Sequence, residues 1–133
     1  MKKKILLILL VALISLAFVA CSGSTANTNV NIKEVGQKYI NDFFNKNFDN
    51  LVSGYNYTNT MKKQITSASL SQTYDAIIAE TGNVVSYGEI QQKTESGYQT
   101  VYQIVTFEKI KLEVNVFFDK KNAIAGFNIQ SAD

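Results

Sequence analysis

The second half of the chain alternates between apolar and polar residues. The alternation is clearest over residues 110–118, where Leu112, Val114 and Val116 fall on one side and Asn115 falls on the other. A period of two residues is that of a β-strand, because successive side chains point to opposite faces of a sheet. We therefore predict a strand with an apolar inner face. An acidic substitution is expected to be disruptive at Val114 and tolerated at Asn115.

The neighbouring segments extend this sheet. Val101, Val105 and Phe107 share one face of a preceding strand, and an even-length loop after it turns that face inward. The same register places the polar Gln103 among apolar neighbours. After residue 118, an Asp-Lys-Lys-Asn sequence predicts a turn with Asn122 in a left-handed conformation. A last strand follows, and its predicted inner face consists of Ala123, Ala125, Phe127 and Ile129.

A further strand is predicted over about residues 83–93, and its register has two alternatives. It pairs through a turn near residues 95–97, and the length of that turn decides which side chains face inward. The sequence leaves both alternatives open. A four-residue turn faces Val84, Ser86, Gly88 and Ile90 inward, whereas a three-residue turn faces Val85, Tyr87 and Glu89 inward.

The first half of the chain has the spacing of helices. Val35, Tyr39 and Phe43 recur every four residues, which predicts a helix over about residues 33–44. Residues 48–54 predict a short helical turn that ends in a Ser-Gly pair. The spacing thus predicts that two helical elements precede the sheet.

A last helix is predicted immediately before the strands. Residues 55–60 show no period and are predicted to be a loop, after which Thr66 or Ser67 can cap the helix. Gly82 fits the left-handed position that ends a helix, because glycine adopts positive φ without strain. Helices followed by antiparallel strands with one apolar face make an α+β fold.

The order of these elements resembles the DUF3887 family. The resemblance lies mainly in the strand run from Val105 to Phe127 with its Asp-Lys-Lys-Asn turn, and it covers nearly all of residues 31–133. It implies an NTF2-like roll, in which N-terminal helices pack on a curved antiparallel sheet of four or more strands. It also implies a domain that occurs alone in lipoproteins or joined to α/β-hydrolases, without assigning a chemistry.

Residues 1–20 predict a lipoprotein signal peptide. Three lysines precede 16 uncharged, mostly apolar residues, a run shorter than the roughly 20 that a membrane-spanning helix needs. The following Phe-Val-Ala-Cys resembles a bacterial lipobox, with Phe18 in place of the usual Leu. The resemblance implies cleavage between Ala20 and Cys21 and a diacylglycerol thioether on Cys21. The alternative is an ordinary secreted protein with an odd cysteine near its cleavage site.

The location of the domain follows from this resemblance. Residues 21–30 would form a lipidated flexible tether, because residues 22–29 carry no charge and no large apolar group. Lipid with two acyl chains exceeds the single chain that gives only reversible membrane binding. We expect an extracytoplasmic domain, residues 31–133, anchored to the bacterial cell membrane through Cys21.

Composition excludes several chemistries. The chain has no His and one Cys, which excludes Ser-His-Asp and Cys-His catalysis, His-ligated metals and a disulfide framework. Three of its 13 basic residues lie in the signal peptide, so 10 remain against 11 acidic residues and the net charge is −1. This balance gives no argument for nucleic acid. We expect no metal, no cofactor and no nucleic-acid partner.

Gln103 is the candidate for a ligand site. A polar side chain on an apolar face needs a hydrogen-bond partner or water. A helix tyrosine or a backbone carbonyl could satisfy it. Alternatively, Gln103 could line the polar end of an apolar cavity with Tyr39 and Ser86, with Gly88 leaving space for a ligand.

Two classes of function remain. Tyr102, Ile104 and Phe117 project from the outer sheet face, which is either solvated or an association surface, since NTF2-like sheets often pack face to face. The leading hypothesis is a non-catalytic domain that binds a partner protein, a second copy of itself or a small ligand. The alternative is a small isomerase or lyase, because the NTF2-like ketosteroid isomerases use a carboxylate and a tyrosine in a dry pocket. An inward carboxylate beside a tyrosine hydroxyl in a closed cavity would favour the enzyme.

Overall fold

The structure is a computed structural model that describes residues 30–132, so the predicted signal peptide, lipobox and most of the tether lie outside the described residues. The strands form one antiparallel sheet in the order β1-β2-β3-β4, with the helices packed on one face. The predicted α+β class is confirmed, and the arrangement is consistent with an NTF2-like roll. The elements are α1 (Ile32–Phe44), α2 (Phe48–Ser53), α3 (Asn59–Gln64), α4 (Ser67–Thr81), β1 (Val84–Glu95), β2 (Tyr98–Phe107), β3 (Lys111–Phe118) and β4 (Ile124–Ser131).

Capping side chains set the ends of α4. The Thr66 hydroxyl accepts from the Ser69 amide at 3.0 Å while the Ser69 hydroxyl accepts from the Thr66 amide at 3.2 Å, a reciprocal pair that satisfies two free donors. Gly82 ends the helix at φ +79° and ψ −170°, a backbone region that is essentially open only to glycine. The predicted positive φ is therefore confirmed.

α3 was not predicted. Residues 55–60 were expected to be a loop, but the helix begins at Asn59, where the Thr58 hydroxyl accepts from the Met61 amide at 3.2 Å. At six residues the helix is too short to show a periodic apolar stripe. Only Met61 of this helix is buried, and it joins the core beneath the sheet.

α1 supplies the helical side of the core. Tyr39, Ile40 and Phe43 are fully buried, and both Tyr39 and Phe43 place their rings about 5.1 Å from that of Phe127 in β4. At Gly36 the helix comes so close to β2 that an added Cβ would lie 2.5 Å from Val101 Cγ1. The absence of a side chain there lets α1 lie against the middle of the sheet.

Two β-bulges decide which residues of β1 face inward, so neither predicted register is correct throughout. β1 and β2 are joined by a two-residue turn, Ser96-Gly97, with φ of +53° and +83°. Pairing then shifts by one residue between Tyr87 and Ile90 and again between Val84 and Ser86. Each bulge inserts one extra residue and so exchanges the faces of the strand beyond it.

The inward residues of β1 combine both alternatives. Directly opposed residues share a face, and the inner-face partners are Val84 with Phe107, Tyr87 with Val105 and Ile90 with Gln103. Ser86 pairs with Thr106 on the outer side and is exposed. The prediction that Ser86 faces inward is therefore wrong.

The turn before β4 is as predicted, but the strand is shifted. Asn122 has φ +61°, and the Asp119 carboxylate accepts from the amides of Lys121 and Ala123, each at 2.9 Å. An irregularity at the end of β3 pairs Phe118 with Ile124, which is 1 % exposed. Ile124 therefore occupies the core position that alternation assigned to Ala125.

Candidate functional site

Gln103 has an internal partner. Its side chain is 3 % exposed, and its Nε2 donates to the carbonyl oxygen of Gly88 at 2.7 Å. Gly88 lies in the bulge between Tyr87 and Ile90, where the regular ladder is interrupted and a carbonyl can accept from a side chain. Of the two alternatives for Gln103, the structure shows the bond to a backbone carbonyl. Gln103 Oε1 is buried and has no partner within the described residues.

The four residues predicted to line a pocket do not come together. Tyr39 is fully buried and contacts Tyr55, Tyr57 and Phe127, on the β4 side of the sheet. Gln103 and Gly88 join β2 to β1 at the opposite side, and Ser86 is exposed on the outer side of β1. An added Cβ at Gly88 would lie 3.0 Å from the carbonyl oxygen of Ile104. The backbone of β2 therefore already occupies the space beside Gly88 that was expected to hold a ligand.

A carboxylate cluster that sequence analysis missed lies at the end of α1. Asp42 is 9 % exposed, and its Oδ2 accepts from the Tyr55 hydroxyl at 2.6 Å and from Asn50 Nδ2 at 2.7 Å. Its Oδ1 accepts from Asn47 Nδ2 at 3.2 Å. One signal was available, because a carboxylate in the last turn of a helix opposes the helix dipole and so requires donors from elsewhere.

These bonds fix the protonation states of the cluster. Burial disfavours the Asp42 carboxylate, but the hydrogen bonds from Tyr55, Asn47 and Asn50 and the nearby charge of Lys38 outweigh it and lower its pKa. Burial, followed by the bond to Asp42, raises the pKa of Tyr55 far above its usual value. At neutral pH, Asp42 is an ionised acceptor and Tyr55 a protonated donor, and each is already bonded to the other.

Burial also raises the pKa values of two further tyrosines, Tyr39 and Tyr57. Burial raises the pKa of Tyr57 to about 12, although a hydrogen bond with Tyr39 acts in the opposite direction. Burial, together with the proximity of Tyr57, raises the pKa of Tyr39 well above its usual value. The hydroxyls of these two residues lie 3.3 Å apart, and Tyr57 also donates to the carbonyl of Leu51. The arrangement ties α1, α2 and the segment after α2 together.

Two open clefts lie on the helical side of the described structure. The helix cleft, of about 640 Å³, separates α2 from the start of α4. The entry cleft, of about 390 Å³, lies beside the first described residue, Val30. The helix cleft is lined by Lys46, Asn47, Phe48, Asp49, Asn50, Ser67, Ala68 and Ser71, and the entry cleft by Val30, Val35, Lys38, Gly54, Tyr55, Asn56, Lys121, Asn122 and Ile124.

The outer sheet face brings Tyr102, Ile104 and Phe117 together. All three are half-buried, and they lie on the adjacent strands β2 and β3. Polar side chains surround them: Asn115 Nδ2 and Gln130 Nε2 both donate to Glu113 Oε1, at 3.1 and 2.8 Å. We call this surface, comprising the outward residues of β2, β3 and β4, the outer face.

Some polar groups of the outer face are buried without a covering layer. Asn115 is 3 % exposed and Thr100 is fully buried, although Asn115 pairs with Tyr102 and Thr100 with Phe117 on the outer face. The expectation that an acid would be tolerated at Asn115 is therefore unsupported, since it would replace a donor to Glu113 with a second carboxylate. Within residues 30–132, Thr100 Oγ1 and Asn128 Oδ1 are buried and have no hydrogen-bond partner.

One known protein family matches most of this domain. A family model described as "Protein of unknown function (DUF3887)" matches residues 36–127, which is well over half of the 133-residue chain. The chain belongs to the DUF3887 family. The DUF3887 match runs from the middle of α1 into β4, so it includes the Asp42 cluster, Gln103 with Gly88, and Tyr102, Ile104 and Phe117. No curated protein and no solved structure matches the chain.

Within the described residues, no three acidic, histidine or cysteine side chains lie close enough to hold a metal ion. None of the helices in the same range is long and apolar enough to cross a membrane.

Proposed function

We propose that this DUF3887 protein is a non-catalytic binding domain, held on the outer side of the bacterial cell membrane by lipid on Cys21. Its outer face would associate with a protein partner, and the first partner to consider is a second copy of the chain. The anchor rests on the lipobox resemblance. The binding function rests on one observation, the half-buried aromatic and aliphatic side chains of the outer face.

The helices of residues 30–132 lie on the inner side of the sheet and do not cover the outer face. The ring contacts between helices and sheet reach Phe127, Phe107 and Tyr87, all on the inner side. The outer face instead presents Tyr102, Ile104 and Phe117 among polar side chains, and aromatic residues are enriched in protein interfaces. It also carries charge, since Glu113 pairs with Ile104 and Lys93 Nζ lies 4.8 Å from the centroid of the Tyr102 ring.

The enzyme alternative gains less support from the geometry. The feature that would favour it is a carboxylate with a tyrosine hydroxyl in a closed cavity. Asp42 and Tyr55 form such a pair, but the carboxylate is occupied by three donors and lines neither cleft. The inward residues of the four strands, as far as the structure describes them, include no acid. A general base needs a free lone pair and a pKa near the working pH, and the pKa of Asp42 is shifted the other way.

Cys21→Ser tests the anchor. We expect the parent to fractionate with membranes and the variant to be released or to remain an uncleaved precursor, because a serine hydroxyl cannot form the thioether. Mass spectrometry of the mature N-terminus gives the independent measurement. An unmodified mature N-terminus at any residue other than Cys21 would contradict the anchor.

Phe117→Lys tests the outer face. Sedimentation equilibrium of the chain from residue 21 should show a dimer that Phe117→Lys weakens at least tenfold, because lysine places a charge in an apolar contact. Val85→Lys is the matched control, since Val85 is 63 % exposed in edge strand β1. Equal association of the parent and Phe117→Lys would contradict this role of the outer face, and a monomeric parent would exclude a second copy as the partner.

A further inference from the structure

The entry cleft carries positive charge beside the point where the tether joins the domain. Two of its lining residues are Lys38, on the exposed side of α1, and Lys121, in the turn before β4, and none of the lining residues among 30–132 is acidic. Val30 lines it as well and is 38 % exposed. The side-chain amides of Asn56 and Asn122 add hydrogen-bond donors to the same cleft.

Neither lysine is neutralised by an ion pair. Within residues 30–132, no carboxylate oxygen lies within 4.0 Å of the ammonium group of Lys38 or Lys121. Lys38 Nζ lies over the ring of Tyr55, 5.4 Å from its centroid. The ionised Asp42 interacts electrostatically with Lys38 but directs its oxygens to Asn47, Asn50 and Tyr55. Asp119 accepts from two backbone amides.

Further lysines lie on the elements that flank the lining residues of the cleft. Lys120 is exposed in the same turn, and α3, which follows Asn56 after two residues, carries Lys62 and Lys63 on its exposed surface. Two backbone hydrogen bonds connect the start of β4 to the segment before α3. The Ile124 amide donates to the Asn56 carbonyl at 2.8 Å, and the Ile124 carbonyl accepts from the Thr58 amide at 3.0 Å. The positive charges of α1, α3 and the β3–β4 turn therefore lie at one edge of the fold, beside β4.

The covalent chain keeps this edge near the anchor. Val30 lies nine positions after Cys21, with eight residues between them. Since a residue spans at most about 3.6 Å, Val30 cannot be farther than about 32 Å from the lipid-bearing cysteine. A site so close to a membrane meets head groups at high effective concentration, so even a weak site would be occupied.

We propose that the entry cleft binds the phosphate head group of an anionic phospholipid in the membrane that holds the anchor. This inference rests on the proposed anchor and extends it, because it orients the domain with its β4 edge toward the bilayer. Lys38 and Lys121 supply the charge, and the amides of Asn56 and Asn122 bond to phosphate oxygens. The outer face contributes no residue to the cleft and stays available to a partner.

In the test, a chemical coupling to lipid replaces the natural anchor, so the result does not depend on lipidation in the cell. The chain from residue 21, whose Cys21 is its one cysteine, is coupled through that thiol to a maleimide phospholipid in vesicles. One set of vesicles contains phosphatidylglycerol and the other phosphatidylcholine alone. An amine-reactive reagent is then applied, and the labelling rate of each lysine is measured by mass spectrometry.

We expect Lys38 and Lys121 to be labelled about fivefold more slowly on the vesicles that contain phosphatidylglycerol than on those of phosphatidylcholine alone. A factor of about five corresponds to the free energy with which an anionic membrane surface attracts one lysine. Lys109 and Lys111 are the controls, because they lie at the other end of β3 and their rates should not change. The double variant K38Q/K121Q should also lose any slowing at Lys120, whereas K109Q/K111Q should retain it.

Three results would overturn the proposal. Equal labelling of Lys38 and Lys121 on both vesicles would show that the cleft does not bind the head group. Equal slowing at Lys109 and Lys111 would show adsorption without a site. Protection by inorganic phosphate in the absence of vesicles would assign the cleft to a soluble phosphate compound. Since the coupling replaces lipidation, each result leaves the separate test of the anchor with Cys21→Ser unaffected.

Discussion

Val114→Asp is expected to unfold the domain. Val114 is fully buried at the centre of the inner face, where it pairs with Gln103 on one side and Ile129 on the other. A carboxylate there would have no cation to pair with and would lose its hydration, which costs several kcal/mol. A domain of this size is stable by only about 5–15 kcal/mol, so most or all of its stability would be lost.

Thermal melts followed by circular dichroism measure this effect. Thr94→Asp is the matched control, because Thr94 is an exposed strand residue and the same negative charge remains hydrated there. We expect the control to melt within a few degrees of the parent and Val114→Asp to show no cooperative transition. Similar melting of the two variants would mean that the inner face of β3 has been assigned wrongly.

Asp42→Asn is expected to destabilise the domain by about 2–3 kcal/mol. The carboxylate accepts from Tyr55, Asn47 and Asn50, and hydrogen bonds to charged groups contribute about 1.5–3 kcal/mol each. Water can replace part of that contribution, since Asn47 and Asn50 are exposed. The new amide group would also place a donor opposite existing donors. Denaturant titration gives the free energy of unfolding, and exposed Asp75→Asn is the control.

The same cluster predicts an acid-dependent loss of stability. The hydrogen bonds lower the pKa of Asp42 in the folded state, so the unfolded chain takes up this proton at a higher pH, near the usual value of roughly 4. The contribution of Asp42 is therefore present above that pH and is lost as the pH falls toward the folded pKa. The difference in melting temperature between the parent and Asp42→Asn should shrink over this range. A constant difference would show that the ionised carboxylate is not the stabilising form.

Elements with several periods of regular spacing were predicted correctly from the sequence. The alternation over residues 110–118 identified β3 and its inner face, and α1 and α4 followed from four-residue spacing and from a capping threonine with a terminal glycine. The positive φ of Asn122 followed from turn chemistry. In each case the determining contacts lie within one element or one turn, so the local sequence carries the information.

Only the tertiary structure decided which residues meet across elements. Two bulges in β1 turned Ser86 outward and gave Gln103 the Gly88 carbonyl as its partner, and neither bulge leaves a periodic signal in the sequence. The Asp42 cluster joins residues up to 13 positions apart through a segment without regular spacing.

The sequence by itself determined the fold class, the caps of α4, the inner faces of β2 and β3 and the lipobox resemblance, because each depends on spacing along a short stretch of chain. The entry cleft and the buried polar atoms of the outer face depend on packing between α1, the turn before β4 and the sheet. Side chains such as Lys38 and Lys121 are 83 positions apart and become neighbours only when the whole chain has folded. That long-range proximity is the physical reason why the candidate sites required the structure.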